Sequence, residues 1–454
     1  MLKYGKFSIT FDYMKNRRIV FILIGLLAVY LFWTNFDFIK NLINRNLRSA
    51  TSPKISSPDI DSKDNGLGFL NVPEGFKISV AAKDLNNPRV IIFDSKGRML
   101  VSETGAGKVS VLTDDDGDGT FESKDVLIEN LKSPHGLDFY PSRSSEQVIA
   151  GDTTYLYIAE THQVARYPYD IETGKLITTS GQNIVTLPAD GRHFTRTIMF
   201  GPNWRDRELL EDSFSLKGFY SQVKLYVSAG SSCDVCEETT WKRAAILESD
   251  PEGTFTGEFA GGLRNSVFFT FHPESEEIWA TEMGRDNLGD NLPPDEINII
   301  KVAGPEDEFG AKRFGWPFCY GNKIKDETFK PDKIERVDIP LDCEQTEPAT
   351  IEIPAHSAPL GLVFVPESWG QFTGELLVAF HGSWNRSEPA GYKVVRFKVD
   401  KNGKVFETED FITGWLSQNK KEVFGRPVDL KFYDGELYIS DDASGIIYKV
   451  KSEI

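Results

Sequence analysis

The feature that most constrains this chain is a sixfold repeat. After residue 66, a short apolar strand ending in Phe is followed by a turn, a strand of the type Leu-Tyr-Ile-Ala-Glu, and a third apolar strand. The first members are residues 90–93, 136–139, 197–200, 268–271, 361–364 and 429–432. The second members are residues 99–103, 156–160, 225–228, 278–282, 376–380 and 437–441. The third members are residues 108–112, 164–167, 244–247, 296–300, 392–397 and 446–450. A unit of three or four strands cannot bury both its faces alone, so such units must pack side by side. Six of them predict an all-β fold, a six-bladed β-propeller over residues 67–454. The copies are unevenly spaced, which places insertions at 204–222 and 304–358, on loops where binding determinants usually sit.

The N-terminus is different. Residues 1–18 carry Lys3, Lys6, Lys15, Arg17 and Arg18, and residues 19–33 form an uncharged apolar run. Extended through Phe36, the run approaches the roughly 20 residues a bilayer needs. Phe, Trp, Asn and Asp follow it, not a small-residue cleavage site. The expectation is a transmembrane signal-anchor helix at 19–38, with a cleaved signal peptide as the alternative. Basic residues before the span put 1–18 in the cytoplasm and the propeller on the periplasmic or extracellular side. Residues 39–66, rich in Asn, Ser, Asp, Lys and Arg, read as a flexible linker.

Four cysteines fit an exported domain. Cys233 and Cys236 form a CDVC loop, with Cys319 and Cys343 downstream. An even count predicts two disulfides, with three pairings open. A zinc site lacks its second ligand pair, and Glu237 after Cys236 excludes a c-type haem motif. A net charge of −17 argues against nucleic acid as a partner.

Several stretches carry side chains suited to chemistry. His193, in GRHFTRTIMF at 191–200, precedes a buried-strand pattern, and histidine has the ordinary pKa nearest neutrality, which suits a general base. Residues 114–125 (DDDGDGTFESKD) have a calcium-loop layout, with Asp114, Asp116, Asp118 and Asp125 as candidate ligands. The loop has no flanking helix pattern, so a solvated acidic hairpin tip accounts for it equally well. Arg264 and Asn265, after two glycines, pair a forked cation with an amide. Residues 281–296 form an acidic, Gly-rich loop able to offer carbonyls and carboxylates to a divalent cation. Of the six histidines, His135, His193, His356 and His381 fall at strand ends, where a funnel-mouth residue would lie.

Together these motifs resemble the glucose/sorbosone dehydrogenase family of pyrroloquinoline quinone (PQQ)-dependent sugar dehydrogenases. The resemblance runs from about Val72 to Val450. It is carried by GRHFTR at 191–196, GSSCDVCEE at 230–238, LRN at 263–265, residues 281–296, FGWP at 314–317, HGSWNR at 381–386 and GRP at 425–427. The L-sorbosone-dehydrogenase-like branch is the nearer match. The resemblance implies a propeller that holds PQQ and Ca2+ at its funnel mouth. It gives His193 the place of the base that takes the sugar hydroxyl's proton while hydride passes to the quinone. It gives Arg264 and Asn265 the quinone oxygens, and Gly284 and Arg285 the turn whose backbone carbonyls ligate the cofactor calcium. Arg426 would face a cofactor carboxylate, and Trp384, Asn385 and Arg386 would wall the site. Val428 stands where the glucose branch has a second arginine, and a sugar-contacting glutamine and a cofactor lysine have no clear counterparts.

The expected function is therefore membrane-anchored oxidation of an aldose or related sugar aldehyde to a lactone or acid. With no haem motif of its own, the chain would pass electrons to an external acceptor, a quinone or a cytochrome. A calcium-dependent lactonase or esterase propeller and a non-catalytic binding propeller are the alternatives.

Overall fold

The computed structural model describes residues 53–56, 67–141, 153–205, 223–304, 307, 310–331 and 342–454. The expected span at 19–38 and most of the 204–222 insertion lie outside them. Among the described residues no helix is long and apolar enough to cross a membrane.

Six antiparallel sheets follow one another along the chain, as the repeat requires. Blade 1 consists of Pro88–Phe93, Met99–Glu103, Lys108–Thr113 and Ser123–Ile128. Blade 2 consists of Leu137–Tyr140, Tyr155–Glu160, Gln163–Asp170 and Gln182–Thr186. Ile198–Pro202, Val223–Ala229, Ala245–Ser249 and Thr256–Gly261 make blade 3. Blade 4 is Phe269–Phe271, Ile278–Glu282, Asp295–Ile300 and Ile351–Ile353. Blade 5 is Pro359–Phe364, Leu376–Phe380, Lys393–Val399 and Val405–Ile412. Blade 6 takes Pro427–Tyr433, Glu436–Asp441 and Ile446–Ser452, and its fourth strand is Phe76–Ala82 from the start of the domain. The ring thus closes by pairing its first strand with its last.

The second strand of each blade explains why the repeat reads as a nearly continuous apolar run. It has sheet neighbours on both sides and a blade against each face, so Met99–Glu103, Ile278–Glu282 and Leu376–Phe380 are buried at every position. Alternate residues serve two different cores. Leu225 and Val227 pack with blade 2 residues Tyr157 and Ala159, while Tyr226 packs with blade 4 residues Phe269 and Ile278. At the rim one face is lost to solvent, and most of Val405–Ile412 is exposed.

The acid that ends four of the second strands has a common role. Glu103, Glu160, Glu282 and Asp441 are buried, and each accepts a backbone N–H from the segment leading into its own blade. The donors are Asn86 (2.7 Å), Lys132 (2.6 Å), Asn265 (3.0 Å) and Arg426 (2.8 Å). A buried N–H left without an acceptor is costly, so the acid is part of the fold and not decoration. Blades 3 and 5 have Ala229 and Phe380 in this position. Two inner-strand aspartates tie blades together: Asp138 accepts from Phe200 N (2.8 Å) and Asp429 from Ile91 N (2.9 Å).

The cysteines pair as Cys233–Cys236 and Cys319–Cys343. The 304–358 insertion supplies the outer strand of blade 4, an edge strand (Lys312–Arg313) for blade 3, and the short hairpin that carries Cys319. Within the 39–66 stretch, Lys54–Ile55 pair in parallel with Glu422–Val423, so the expected linker is pinned to the propeller there.

Candidate active site

His193 lies in the lead-in to blade 3, where no carboxyl tie is present. Two buried arginines hold this lead-in from the other side, by its carbonyls. Arg196 donates to His193 O (2.8 Å), Thr195 O (2.8 Å) and Pro188 O (3.1 Å). Arg243 donates to the carbonyls of His193 (3.3 Å), Gly230 (3.3 Å), Pro188 (3.2 Å) and Asp190. Gly191, at φ +88°, lies so close to Ser232 that a side chain would strike its backbone, and a Cβ on Gly230 would meet His193 and Asn265. These two glycines let the histidine loop, the 230–238 loop and Asn265 converge.

The His193 ring is oriented by Ser231. Nδ1 lies 2.9 Å from the Ser231 carbonyl and 3.0 Å from its Oγ. A carbonyl can only accept, so Nδ1 carries the proton and Nε2 is the ring's acceptor. Burial, then the Arg264 charge, push the imidazole pKa down to about 3. His193 is therefore neutral throughout the physiological range, as a base must be.

Arg264 and Asn265 reach the same cavity from the lead-in to blade 4. Four of the five Arg264 guanidinium N–H groups are engaged in hydrogen bonds. Nε donates to Asp234 O (2.9 Å), Nη2 to the Asp234 carboxylate (2.8 Å), and Nη1 to the carbonyls of Met283 (3.1 Å) and Gly284 (2.9 Å). Asp295 fastens the turn from below, accepting from Gly284 N (2.9 Å) and Ala358 N (2.8 Å), and burial raises its pKa to about 7. Asp286 accepts from the Asn385 amide (2.8 Å), and burial raises its pKa also.

The cavity has a volume of about 440 Å³, within the roughly 300–1,000 Å³ typical of small-molecule sites. His193, Arg264, Asn265, Gly284, Trp384 and Arg426 all line it, so most of the residues singled out in the sequence do come together. Trp384 is 49% exposed at its edge. Arg426 donates from Nε to His381 O (3.0 Å) and from Nη2 to Gly382 O (2.5 Å).

One expectation fails, that for Arg386; for Arg285 the expectation concerned its backbone carbonyl, and only its side chain is placed elsewhere. The Arg285 side chain turns away from the cavity to Asp326 (2.6 Å) and Thr328 (3.1 Å) in the 304–358 insertion, because a buried carboxylate there offers it an ion pair. Arg386 is not a wall residue. Its guanidinium is spent on the carbonyls of Asp290 (2.6 Å), Ala355 (3.0 Å) and Glu388 (3.2 Å), where it clamps the 284–295 loop to the lead-in of blade 5.

Of the other lining residues, His356 and His381 were expected at the funnel mouth, whereas Arg89 and Arg192 were not singled out. Arg89 pairs with Asp442 (2.6 Å), whose other oxygen lies 2.9 Å from His381 Nε2. Burial works against the charge on Asp442, but His381 and Arg89 hold its pKa well below the carboxylate range. Burial and Arg426 push His381 down to about 4. We read this as an ionised Asp442 accepting from a neutral His381. Arg192 and His356 also face the cavity, whereas His135 is completely buried with Nδ1 3.3 Å from Thr197 Oγ1. Arg192 and His381 stood inside the quoted motifs, but nothing in the sequence marked Arg89.

The acidic hairpin of blade 1 contributes none of these lining residues. Asp114, Asp116, Asp118 and Glu122 gather their oxygens within 4.8 Å, while Asp125 has moved onto the outer strand opposite Val111. Glu122 thus takes the place expected for Asp125, because the chain is already extended at Ser123. Asp114 is occupied within the turn, accepting from the N–H groups of Gly117 (2.7 Å), Asp118 (3.2 Å) and Gly119 (2.7 Å).

The donor set of the cavity fits a planar polyanion such as PQQ, with four arginines (Arg89, Arg192, Arg264, Arg426) against Asp286 and Asp295. The fit to calcium is poorer: the Gly284 carbonyl already accepts from Arg264, so a cation there would compete with a guanidinium.

Comparison with known proteins agrees with this picture. A family model described as TrAA12-like matches residues 70–453. A protein of Borreliella burgdorferi described as uncharacterized is 29% identical over 399 residues, covering 85% of this chain and 91% of its own length. The pyrroloquinoline quinone-dependent pyranose dehydrogenase of Coprinopsis cinerea is 27% identical over 434 residues, covering 84% of this chain. The alignment takes in 54% of that enzyme, so the chain spans about half its length. The solved holo form of the PQQ domain of Coprinopsis cinerea pyranose dehydrogenase superposes with a TM-score of 0.65 at 22% identity, covering 88% of this chain and 99% of that one. At that identity the likeness establishes the six-bladed fold.

Proposed function

The chain belongs to the TrAA12-like family, and from that premise we propose that it is a PQQ-dependent sugar dehydrogenase oxidising an aldose to its lactone. The observation that carries the proposal is a neutral, oriented histidine in one funnel with four arginines. Bound there, PQQ would supply an electrophile for the hydride released from the sugar's C1. His193 takes the hydroxyl proton on Nε2, while Ser231 keeps the Nδ1–H in place and so fixes which nitrogen acts. The anionic cofactor would raise the His193 pKa from its low value, bringing the base closer to the working pH. Arg426 and Arg89, at the far side of the cavity, are the cations for cofactor carboxylates, with Arg264 and Asn265 for its quinone oxygens.

Calcium belongs to the proposal as a competitor of Arg264 for the Gly284 carbonyl, and no step above depends on it. The chain is held at a membrane by residues 19–38, with the propeller outside the cytoplasm, and hands its electrons to an external quinone or cytochrome. The test is to load the purified chain with PQQ, with and without Ca2+, and follow dye reduction over a panel of aldoses. Aldose-dependent reduction that His193→Ala abolishes supports the proposal. Failure to bind PQQ sinks it, and quinone-independent lactone hydrolysis would replace it with the hydrolase.

A further inference from the structure

The loop closed by Cys233–Cys236 touches both halves of the site. Asp234 holds Arg264 at two points: its carbonyl takes Nε (2.9 Å) and its carboxylate takes Nη2 (2.8 Å). Two contacts from one residue to one planar fork fix the guanidinium in position and in plane. The same carboxylate accepts from Asp286 N (2.8 Å), and the same carbonyl from Trp316 Nε1 (3.3 Å). On the other side, the Cys233 carbonyl accepts the Ser231 hydroxyl (2.6 Å). With its proton committed there, Ser231 Oγ joins the Ser231 carbonyl as an acceptor for His193 Nδ1–H. The base and the cation are thus both referred to a four-residue covalent ring.

We propose that this ring is the positioning element of the site, with Asp234 the positioning residue for Arg264 and the Cys233 carbonyl, through Ser231, the positioning group for His193. A turn of four residues without regular structure does not hold such a set of contacts by itself, and the disulfide removes its alternative conformations. The ring contributes little to the propeller. Cys319 and Cys343 are buried with Phe318 in an apolar cluster, whereas Cys233 and Cys236 are partly exposed and belong to none of the blade cores. A thiol reductant therefore reaches the ring first, and its reduction (two electrons and two protons from an external dithiol, giving two thiols) unfastens the site without opening the ring of blades.

The inference rests on the proposed function only where it speaks of the quinone, so its test has two readouts. In apo protein labelled with 15N-histidine, the native His193 signal is expected to be that of a neutral Nδ1–H tautomer with slow proton exchange. Cys233→Ser/Cys236→Ser, or brief dithiothreitol treatment, should average the two tautomers and speed exchange about tenfold or more, at a nearly native melting temperature. Asp234→Ala should leave the His193 signal in place and weaken PQQ uptake, followed by titration, about tenfold or more. Asp234→Asn, which keeps an acceptor, should restore part of that loss. Cys319→Ser/Cys343→Ser should lower the melting temperature with the His193 signal unchanged. A native His193 signal in the opened ring overturns the proposal, as does loss of the propeller in both the ring and the Asp234 variants. If the native protein takes up no PQQ, the dehydrogenase reading falls and the His193 signal still decides the role of the ring.

Discussion

Blades 2 and 3 are neighbours built on one pattern, yet their lead-in segments are held in opposite ways. In blade 2 the buried Glu160 accepts the Lys132 N–H, which fixes one backbone donor. In blade 3 Ala229 replaces the acid, and Arg196 and Arg243 gather the carbonyls of Pro188, Asp190, His193, Thr195 and Gly230. A carboxylate ties one point, whereas two guanidiniums pull a whole loop inward and leave its side chains pointing away. Of the two blades that gave up the repeat's acid, blade 3 is the one that presents His193. Departure from the repeat is here a sign of function.

The sharpest way to break this comparison is to remove the side chain that blade 3 presents. His193→Ala should lower turnover by about 10²–10⁴-fold, with little change in melting temperature, measured by dye reduction alongside thermal unfolding. Arg243→Ala should affect both properties. It strands several buried carbonyls, so urea unfolding should show a loss of about 2–4 kcal/mol, and turnover should drop because the His193 backbone loses one of its two supports. Glu160→Ala in blade 2 should cost about 1–3 kcal/mol and leave turnover unchanged. Equal effects of these last two variants on turnover would erase the distinction between the blades.

The smallest effect concerns pH. Burial raises the pKa values of Asp138 and Asp429 from 3.8 to about 6. Over that interval the folded protein holds more protons than the unfolded chain, so their contribution to stability is largest below pH 4. It declines as pH rises towards 6 and is constant above it. Asp138→Asn should flatten this part of the stability profile, read from denaturant midpoints between pH 4 and 7.

Much of the fold was legible because the second strand of each blade is buried on both faces, and its run of apolar residues repeats six times. The outer strands were harder to read. Ile351–Ile353 lies beyond a long insertion, and Phe76–Ala82 belongs to a blade whose other strands come at the opposite end of the domain. At the site, short motifs kept together by the chain (His193 with Arg192, Arg264 with Asn265) pointed to the right place. Arg386 failed because a motif gives a residue's position and not the direction of a long side chain, which nearby acceptors decide. Asp125 failed for a backbone reason, since the turn had already become a strand. Arg89 and the His381–Asp442 contact depend on blades 1, 5 and 6 meeting around a ring, which no local pattern records. The low pKa of His193 depends on burial and then on Arg264, and both arise only in the fold.

Closing the ring through Phe76–Ala82 has a consequence for assembly. On the ribosome this strand is made before any other part of the propeller, and its partner Ile446–Ser452 is made last. Blades 1 to 5 can form in order as they emerge, but the first strand has to wait as an unpaired edge, exposed to association with other chains. Mechanical load follows the same path. Tension applied through the N-terminal segment first meets the pairing of Lys54–Ile55 with Glu422–Val423 and then this antiparallel seam, so the lead-in and outer edge of blade 6 would yield first and the funnel would lose Arg426 before it lost His193.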